Sequence, residues 1–440
     1  MWWEIPGHLE SRDGNLYIGG QRAEAFAHVY GTPLHVYNGD RAVQNYRRFH
    51  DALASRTEIP VRVHYAMKTN SHRGILELLC REGAWIDAVS PGEAMLAVDA
   101  GYAPEKILYT GSSVSVGDMR MALNLGVRIN IDSAGQVGRM LEANCRRSGS
   151  RRVLPVSIRV DPGVTGAGHV PENITTGRVT IHGEEVPTKF GVDMSDIHDV
   201  VREADRIFGV AGLHFHIGSN WRTEEEIVAF LGNLDAALGV AKDAHGYMGR
   251  NLGYVDFGGG PGVRYRKEHR EFPVERYADE TVTRVDESGL VPDALAFEPG
   301  RYISGDSGIL LATVTDVKRK SGETVVGLDT GFNHLPRPEV YNSHHHIVLC
   351  GRADSELEGK FMFAGNVCET GDFLSRDPIR RETTRPREGD VVAFLTTGAY
   401  VKAMEMTNYN TRPPVPELLL AGGKSYSLTT EKVVSETTML

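Results

Sequence analysis

Lys68 lies at the end of the stretch Val61-Arg62-Val63-His64-Tyr65-Ala66-Met67-Lys68-Thr69-Asn70. Valine, tyrosine and methionine alternate there with Arg62, His64, Ala66 and Lys68, the period of a strand. The lysine therefore falls at the C-terminal end of a strand, with a helix-like run from Ser71 to Glu82 behind it. In parallel α/β folds that end is where reacting groups collect. A lysine so placed can form an imine with a carbonyl compound if its neighbours lower its pKa. A lone strand-end lysine is more commonly a solvated charge, so the reading depends on the rest of the chain.

Three further segments bear on that chemistry. Gly258-Gly259-Gly260-Pro261-Gly262 and Glu298-Pro299-Gly300-Arg301 each follow an apolar run. Consecutive glycines let backbone N–H groups close on a phosphate, although such a run can equally be a plain turn. In His214-Phe215-His216-Ile217-Gly218-Ser219, alternation puts both histidines on one face. Paired histidines could bind a metal, but an i,i+2 pair without a nearby carboxylate gives that weak support. One ring stacking on an aromatic cofactor fits at least as well, and Ser219 could bond a phosphate. Gly305-Asp306-Ser307-Gly308 and Asp256-Phe257-Gly258 mimic protease and kinase fragments but lack the companion motifs of either class. His344-His345-His346 is dense in histidine, yet strand alternation splits it across two faces. No metal is expected there or elsewhere.

These residues need a scaffold that gathers strand ends. Strand-like runs recur at 62–67, 85–90, 107–110, 128–132, 153–160, 210–217, 253–258 and 294–298. Helical patterns such as 92–100, 133–146, 224–244 and 274–288 lie between them. Eight β-then-α units in series predict an α/β barrel, a (β/α)8 TIM-like barrel over residues 40–302. The loops after strands seven and eight are the usual phosphate site of such barrels, which favours the phosphate reading of both glycine segments. Beyond Arg301, runs at 309–317, 323–328, 346–350, 360–364 and 390–395 predict a mostly β domain over 303–425. Strand-like pieces at 15–18 and 34–37, within residues 1–39, are expected to pair with it. The Ser/Thr/Lys-rich tail after Gly423, assigned to 426–440, is expected to be flexible.

The bulk properties set limits on function. At 440 residues two domains are expected. Hydrophobic content of 41% and charged content of 24% are those of a soluble globular protein. A net charge of −10 and a pI near 6.0 argue against nucleic acid or an anionic membrane as partner. Cys80, Cys145, Cys350 and Cys368 are too widely spaced for a disulfide framework or a zinc site, which suits a reducing, cytoplasmic compartment. Met1-Trp2-Trp3-Glu4 lacks the form of a signal peptide, and no apolar stretch is long enough to span a bilayer.

In their order along the chain, the motifs resemble the fold-type III pyridoxal-phosphate decarboxylases of the ornithine/diaminopimelate decarboxylase family, in particular the diaminopimelate decarboxylase branch. The resemblance is carried by Tyr65-Ala66-Met67-Lys68-Thr69-Asn70, Asp87-Ala88-Val89-Ser90-Pro91-Gly92-Glu93, Lys189-Phe190-Gly191, the 214–219 segment and the 256–260 glycine segment. Glu298-Pro299-Gly300-Arg301, Arg337-Pro338-Glu339-Val340-Tyr341, Cys368-Glu369-Thr370-Gly371-Asp372 and Gly398-Ala399-Tyr400 extend it through most of the chain. It implies a barrel of the alanine racemase type, pyridoxal 5'-phosphate as cofactor and a homodimer with its active site at the interface. Lys68 would carry the cofactor. His216 would stack on its ring, and Glu298 would hold the ring nitrogen protonated. Ser219, Gly259, Gly300, Arg301 and Tyr400 would hold the phosphate end, and Asp87 would also belong to the cofactor site. Cys368, from the second subunit, would return the proton after CO2 loss. Arg301, Arg337, Tyr341, Glu369 and Tyr400 would bind an amino-acid substrate, because an arginine fork suits a carboxylate and a glutamate suits an ammonium. The expected reaction is meso-diaminopimelate to L-lysine and CO2.

Several positions depart from the family pattern. Asn220-Trp221 follows Ser219 where the family has glutamine, Thr370 replaces a serine, and Asp161 stands where asparagine is frequent. The histidine-rich stretch is reduced to His169, and the arginine-rich ending is absent. These changes keep open a paralogous decarboxylase of another amino acid in siderophore or antibiotic biosynthesis, favoured by Trp221 and the altered ending. A racemase is disfavoured because its ring nitrogen faces an arginine where this chain has Glu298. A non-catalytic cofactor carrier is disfavoured because such carriers lack the β domain.

Overall fold

A computed structural model describes residues 1–145, 153–163, 167–168, 176–181, 184–216 and 218–429. The chain divides into two compact units: Val43–Val263 with Arg270–Ile303, and Met1–Ala42 with Arg264–His269 and the chain from Ser304 onward. Among the described residues, no helix is long and apolar enough to cross a membrane.

The first unit is a (β/α)8 barrel. Its strands are Val61–Ala66, Trp85–Ala88, Ile107–Tyr109, Arg128–Ile131, Val156–Asp161, Val210–His214, Tyr254–Asp256 and Leu295–Phe297. Each runs parallel to the next, and Leu295 pairs with Val61 to close the ring. Closure buries both faces of nearly every strand, which is why most of their residues are apolar. The polar exceptions are informative. His64, Asp87, Asn130, Ser157, Arg159, His214 and Asp256 all lie on strands and are all buried. Asn130 bonds His214 and Ser157, whereas Asp87 Oδ1 and both ring nitrogens of His64 have no hydrogen-bond partner.

The helices begin where local chemistry satisfies their free N–H groups. Ser90 accepts from Glu93 N at the start of Pro91–Asp99, with Pro91 at the first position. Ser115 with Asp118, and Thr223 with Glu226, form reciprocal capping boxes for Val116–Leu125 and Glu224–Met248. Between strands five and six the chain adds a hairpin, Arg178–Ile181 with Glu184–Pro187, and the helix Ile197–Phe208. The sequence reading did not place the hairpin. Its His169 and Ile217 lie outside the described residues.

The second unit is mostly β. Its long strand Gly308–Lys320 pairs with Leu34–Asn38, Glu323–Leu328 and Val391–Phe394. Alternation divides that strand between two cores. Ile309 and Leu311 pack with Leu34, Val36, Val391 and Ala393, whereas Leu310, Ala312 and Val314 pack with Val326, Val392 and Phe394. Two expectations are corrected. Asn15–Ile18 forms its own three-stranded sheet with Leu9–Arg12 and Gln21–Arg22, joined to the rest through Leu16 N bonding Cys350 O (2.8 Å). Lys424–Thr429, assigned largely to a flexible tail, is a strand paired with Glu417–Ala421, which in turn runs parallel to Leu34–Asn38. The remainder of that tail, 430–440, lies outside the described residues.

Candidate active site

In the barrel unit the first strand ends at Ala66, so Lys68 sits in the 3-10 turn Met67–Thr69 just beyond it. Thr69 Oγ1 bonds Ala66 O (2.8 Å) and Tyr65 Oη bonds Asn70 O (2.9 Å), which fixes the turn. Gly300 presses against it: a Cβ there would come within 2.4 Å of Thr69 Cγ2. Lys68 Nζ bonds Asp87 Oδ2 (3.2 Å) from the end of the second strand, while Asp87 Oδ1 is buried without a partner. Burial raises the Asp87 carboxyl above its usual range and the Glu298 charge adds to this, against the pull of Lys68.

Glu298, just past strand eight, is only 2% exposed. Its Oε2 lies 3.1 Å from His214 Nε2 and 3.9 Å from His216 Nδ1, and its Oε1 is buried with no partner. His214 Nδ1 lies 3.1 Å from Asn130 Nδ2, and Asn130 Oδ1 accepts from Ser157 (2.7 Å). The histidine pair was expected to lack a nearby carboxylate. The structure corrects this, because strand eight brings in Glu298 from 84 residues away. The two rings are nearly parallel (4°) with centroids 6.5 Å apart, so they do share a face.

His216 has a separate hold. Gly259 N donates to its Nδ1 (3.0 Å), and burial, with Lys68 and Arg159 adding, keeps the ring well below the usual histidine pKa. The ring is therefore neutral and held to the glycine loop through Nδ1. That loop allows no side chain where it turns. A Cβ on Gly259 would lie 2.4 Å from Glu298 O, and one on Gly260, at φ +127°, would lie 2.3 Å from the Trp221 ring. Trp221 is fully buried and tilted on Phe230, with centroids 4.6 Å apart. Its backbone N bonds Gly260 O (3.0 Å) and its O accepts from Gly262 N (2.9 Å). Trp221, a departure from the family pattern, therefore packs its side chain against the glycine loop. Arg301 Nη2 reaches Ser219 Oγ (3.5 Å), joining the loops after strands six and eight.

Sequence reasoning passed over several residues here. Asp256, set aside as part of a decoy motif, accepts from Gly258 N (2.9 Å) and lies 3.2 Å from His64 Nδ1. His64, Asp256 and Glu298 bring ligand-type atoms within 4.8 Å of one another. A metal ion could use that spacing, but it would compete with His214 for Glu298. Arg159 is buried over the Phe190 ring (4.3 Å) and 3.8 Å from Asp132. The available signal was a polar residue within an otherwise apolar strand, as with Asn130 and Arg159.

The β unit carries the remaining candidates. Cys368, Glu369 and Thr370 are exposed, so Cys368 is not an inert core cysteine. Their loop is tied by Asp372, whose carboxylate accepts from Phe332 N and Val367 N (2.8 Å each), while Cys368 N bonds Asn410 Oδ1 (2.8 Å). Tyr409 Oη donates to Glu369. Arg337 is buried at the start of the short helix Arg337–Tyr341, and Tyr341 at its end is partly exposed. Tyr400 holds a left-handed backbone (φ 60°), a strained state for a bulky residue and one that clusters at functional sites.

The description of the pyridoxal-dependent decarboxylases, for their pyridoxal binding domain, matches residues 40–305. The chain belongs to that family. This decarboxylase is similar to the diaminopimelate decarboxylase of Methanothermobacter thermautotrophicus, at 38% identity across 93% of this chain and 92% of that one. It is 35% identical to the enzyme of the same name from Pseudomonas fluorescens, across 97% and 96% of the two chains. Its structure resembles that of M. jannaschii diaminopimelate decarboxylase in complex with L-lysine, with a TM-score of 0.83 at 27% identity, covering 96% and 94% of the chains. Pyridoxal phosphate is the cofactor of the family, and the residues present fit it. Glu298 Oε1 is a buried acceptor without a donor, which a protonated ring nitrogen would satisfy, and the 258–260 loop leaves backbone where side chains would otherwise stand.

Proposed function

We propose that the decarboxylase converts meso-diaminopimelate to L-lysine and CO2, as a homodimer in the cytoplasm. The observation that carries the reaction class is the unpartnered Oε1 of Glu298. Bound pyridoxal phosphate supplies a protonated ring that accepts the electron pair left when CO2 departs. Glu298 keeps the ring nitrogen protonated, where an arginine would not. Lys68 anchors the cofactor through its amine, with Asp87 beside it. His216, held neutral, would lie against the ring face. Ser219, Gly259, Gly300, Arg301 and Tyr400 hold the phosphate end.

Diaminopimelate as substrate is supported by near full-length identity to enzymes of that name. Arg337 and Tyr341, with Arg301, suit a distal carboxylate, and Glu369 suits a distal ammonium. Cys368 of the partner subunit delivers a proton to the carbon that has lost CO2, a role compatible with its exposure within its own chain. Trp221 and the altered ending favoured a different substrate; the Trp221 ring packs against Gly260.

The test is CO2 release from meso-diaminopimelate by purified protein with added pyridoxal phosphate, using Lys68→Ala as the blank. Stoichiometric L-lysine is the expected product. Cofactor-loaded protein that releases no CO2 would refute the substrate, and unchanged cofactor absorbance in Lys68→Ala would refute the anchor.

A further inference from the structure

The histidine triplet has no part in the reading above, and its middle member holds Arg337. His344 and His346 face one side, with their rings stacked 6.4 Å apart, while His345 points the other way and is fully buried. Its Nδ1 lies 3.0 Å from Leu395 O. A carbonyl only accepts, so Nδ1 carries the hydrogen and Nε2 presents a lone pair. Leu395 N bonds His346 O (2.9 Å), so the same stretch of chain is pinned from both sides. Arg337 Nη1 stands 3.0 Å from that Nε2, and only the guanidinium can donate.

Two further contacts fix the guanidinium plane. Nη2 donates to Ser343 Oγ (3.3 Å), and the guanidinium carbon lies 4.8 Å over the Tyr265 ring. His345 meets the same ring edge-on (5.6 Å, 89°), so histidine, arginine and tyrosine interlock. Burial, with the Arg337 charge adding to it, holds His345 far below the usual histidine range, so it remains an acceptor across the working pH. A neutral imidazole orients a guanidinium without cancelling its charge, which a carboxylate would do.

We propose that His345 is a positioning residue: it fixes the Arg337 guanidinium for the substrate's distal carboxylate through a neutral Nε2 acceptor. This rests on the reading of Arg337 as a carboxylate-binding arginine.

Two variants separate positioning from plain core packing. His345→Asn retains a donor near the Nδ1 position, for Leu395 O, but loses the acceptor facing Arg337. His345→Gln retains an acceptor near the Nε2 position and loses the link to Leu395. The readout is competitive inhibition of the holoenzyme by L-lysine, which has the carboxylate, and by cadaverine, which lacks it. His345→Asn should raise the lysine Ki about tenfold or more, the effect of one lost charge-assisted bond. It should leave the cadaverine Ki within about threefold, and His345→Gln should restore lysine binding to within about threefold of wild type. A lysine Ki unchanged in His345→Asn, an equal shift for both inhibitors, or a larger loss in His345→Gln than in His345→Asn would overturn the inference. If His345→Asn does not fold, the lysine Ki of His345→Gln decides: near wild type supports positioning, and a tenfold rise refutes it. Arg337→Ala separates the two levels of the argument. No change in lysine Ki there removes the carboxylate reading itself, whereas a rise there with none in His345→Asn removes only the role of His345.

Discussion

A carboxylate carried into a barrel interior loses several kcal/mol of hydration, and protein partners must return it. Glu298 has His214 on one oxygen and none on the other, so the cofactor-free protein bears an unmet acceptor at its centre. Glu298→Gln should therefore separate stability from activity. The amide removes the buried charge, so the cofactor-free variant should melt at or above the wild-type temperature. Its kcat should fall on the order of 100-fold, because an amide cannot hold a proton on the ring nitrogen. Thermal melts and initial rates read both effects, and a variant with near wild-type kcat would refute the role of Glu298. At this scale the sequence was legible where chemistry is local. Lys68, Glu298 and the glycine loop each sit next to their own strand ends. The His214–Glu298 contact was not legible, because its partners are distant in the chain and meet only when the barrel closes. The role of His345 was hidden for a related reason: its partner, Arg337, follows from which face the histidine takes and not from its type.

Elements set the positions of these residues, and their ends are where the local sequence acts most directly. The helix Pro91–Asp99 begins with Glu93 N bonding Ser90 Oγ (3.1 Å), while Glu93 Oε2 accepts from Val89 N (2.8 Å). Burial raises the Glu93 carboxyl from 4.5 to about 7, against the stabilising pull of the Val89 N–H. A raised carboxyl means that the folded state binds this proton more tightly than the unfolded state. Its contribution to stability is thus complete below pH 4.5 and is lost as pH rises through about 7. Glu93→Gln keeps an acceptor for Val89 N without the titration. Denaturant unfolding at several pH values should therefore show wild type losing stability relative to Glu93→Gln between pH 4.5 and 7. Parallel curves would show that the group does not titrate in that window. Trp221 carries the corresponding lesson about loops. In the sequence it was only a departure from the family pattern after Ser219; in the structure a left-handed backbone at Asn220 (φ 69°) precedes it, and the buried indole packs against Gly260.

Across the whole molecule, eight alternating strand and helix patterns were enough to name the barrel, because each short strand-like run is followed by a helical pattern in series. The misread pieces were short and antiparallel. Glu417–Ala421 and Lys424–Thr429 meet across Gly422-Gly423, both at positive φ (57° and 70°), a two-residue hairpin turn whose Gly-Gly signal was present but was read as the start of a tail. The largest claim at this scale is that the catalytic set is shared between two copies of the chain. Lys68 and Glu298 belong to the barrel unit, and Cys368 belongs to the β unit, exposed within its own chain. If Cys368 of the partner subunit serves each barrel, Lys68→Ala and Cys368→Ala homodimers are each inactive, but a hybrid dimer places both lesions at one site and leaves the other intact. Random exchange makes about half of the dimers hybrid, so a mixed sample should recover about a quarter of wild-type activity. Mixing the purified variants after subunit exchange and measuring CO2 release tests this directly. Two inactive variants that stay inactive after verified exchange would place both groups in one chain, and the dimer would then have no part in completing the site.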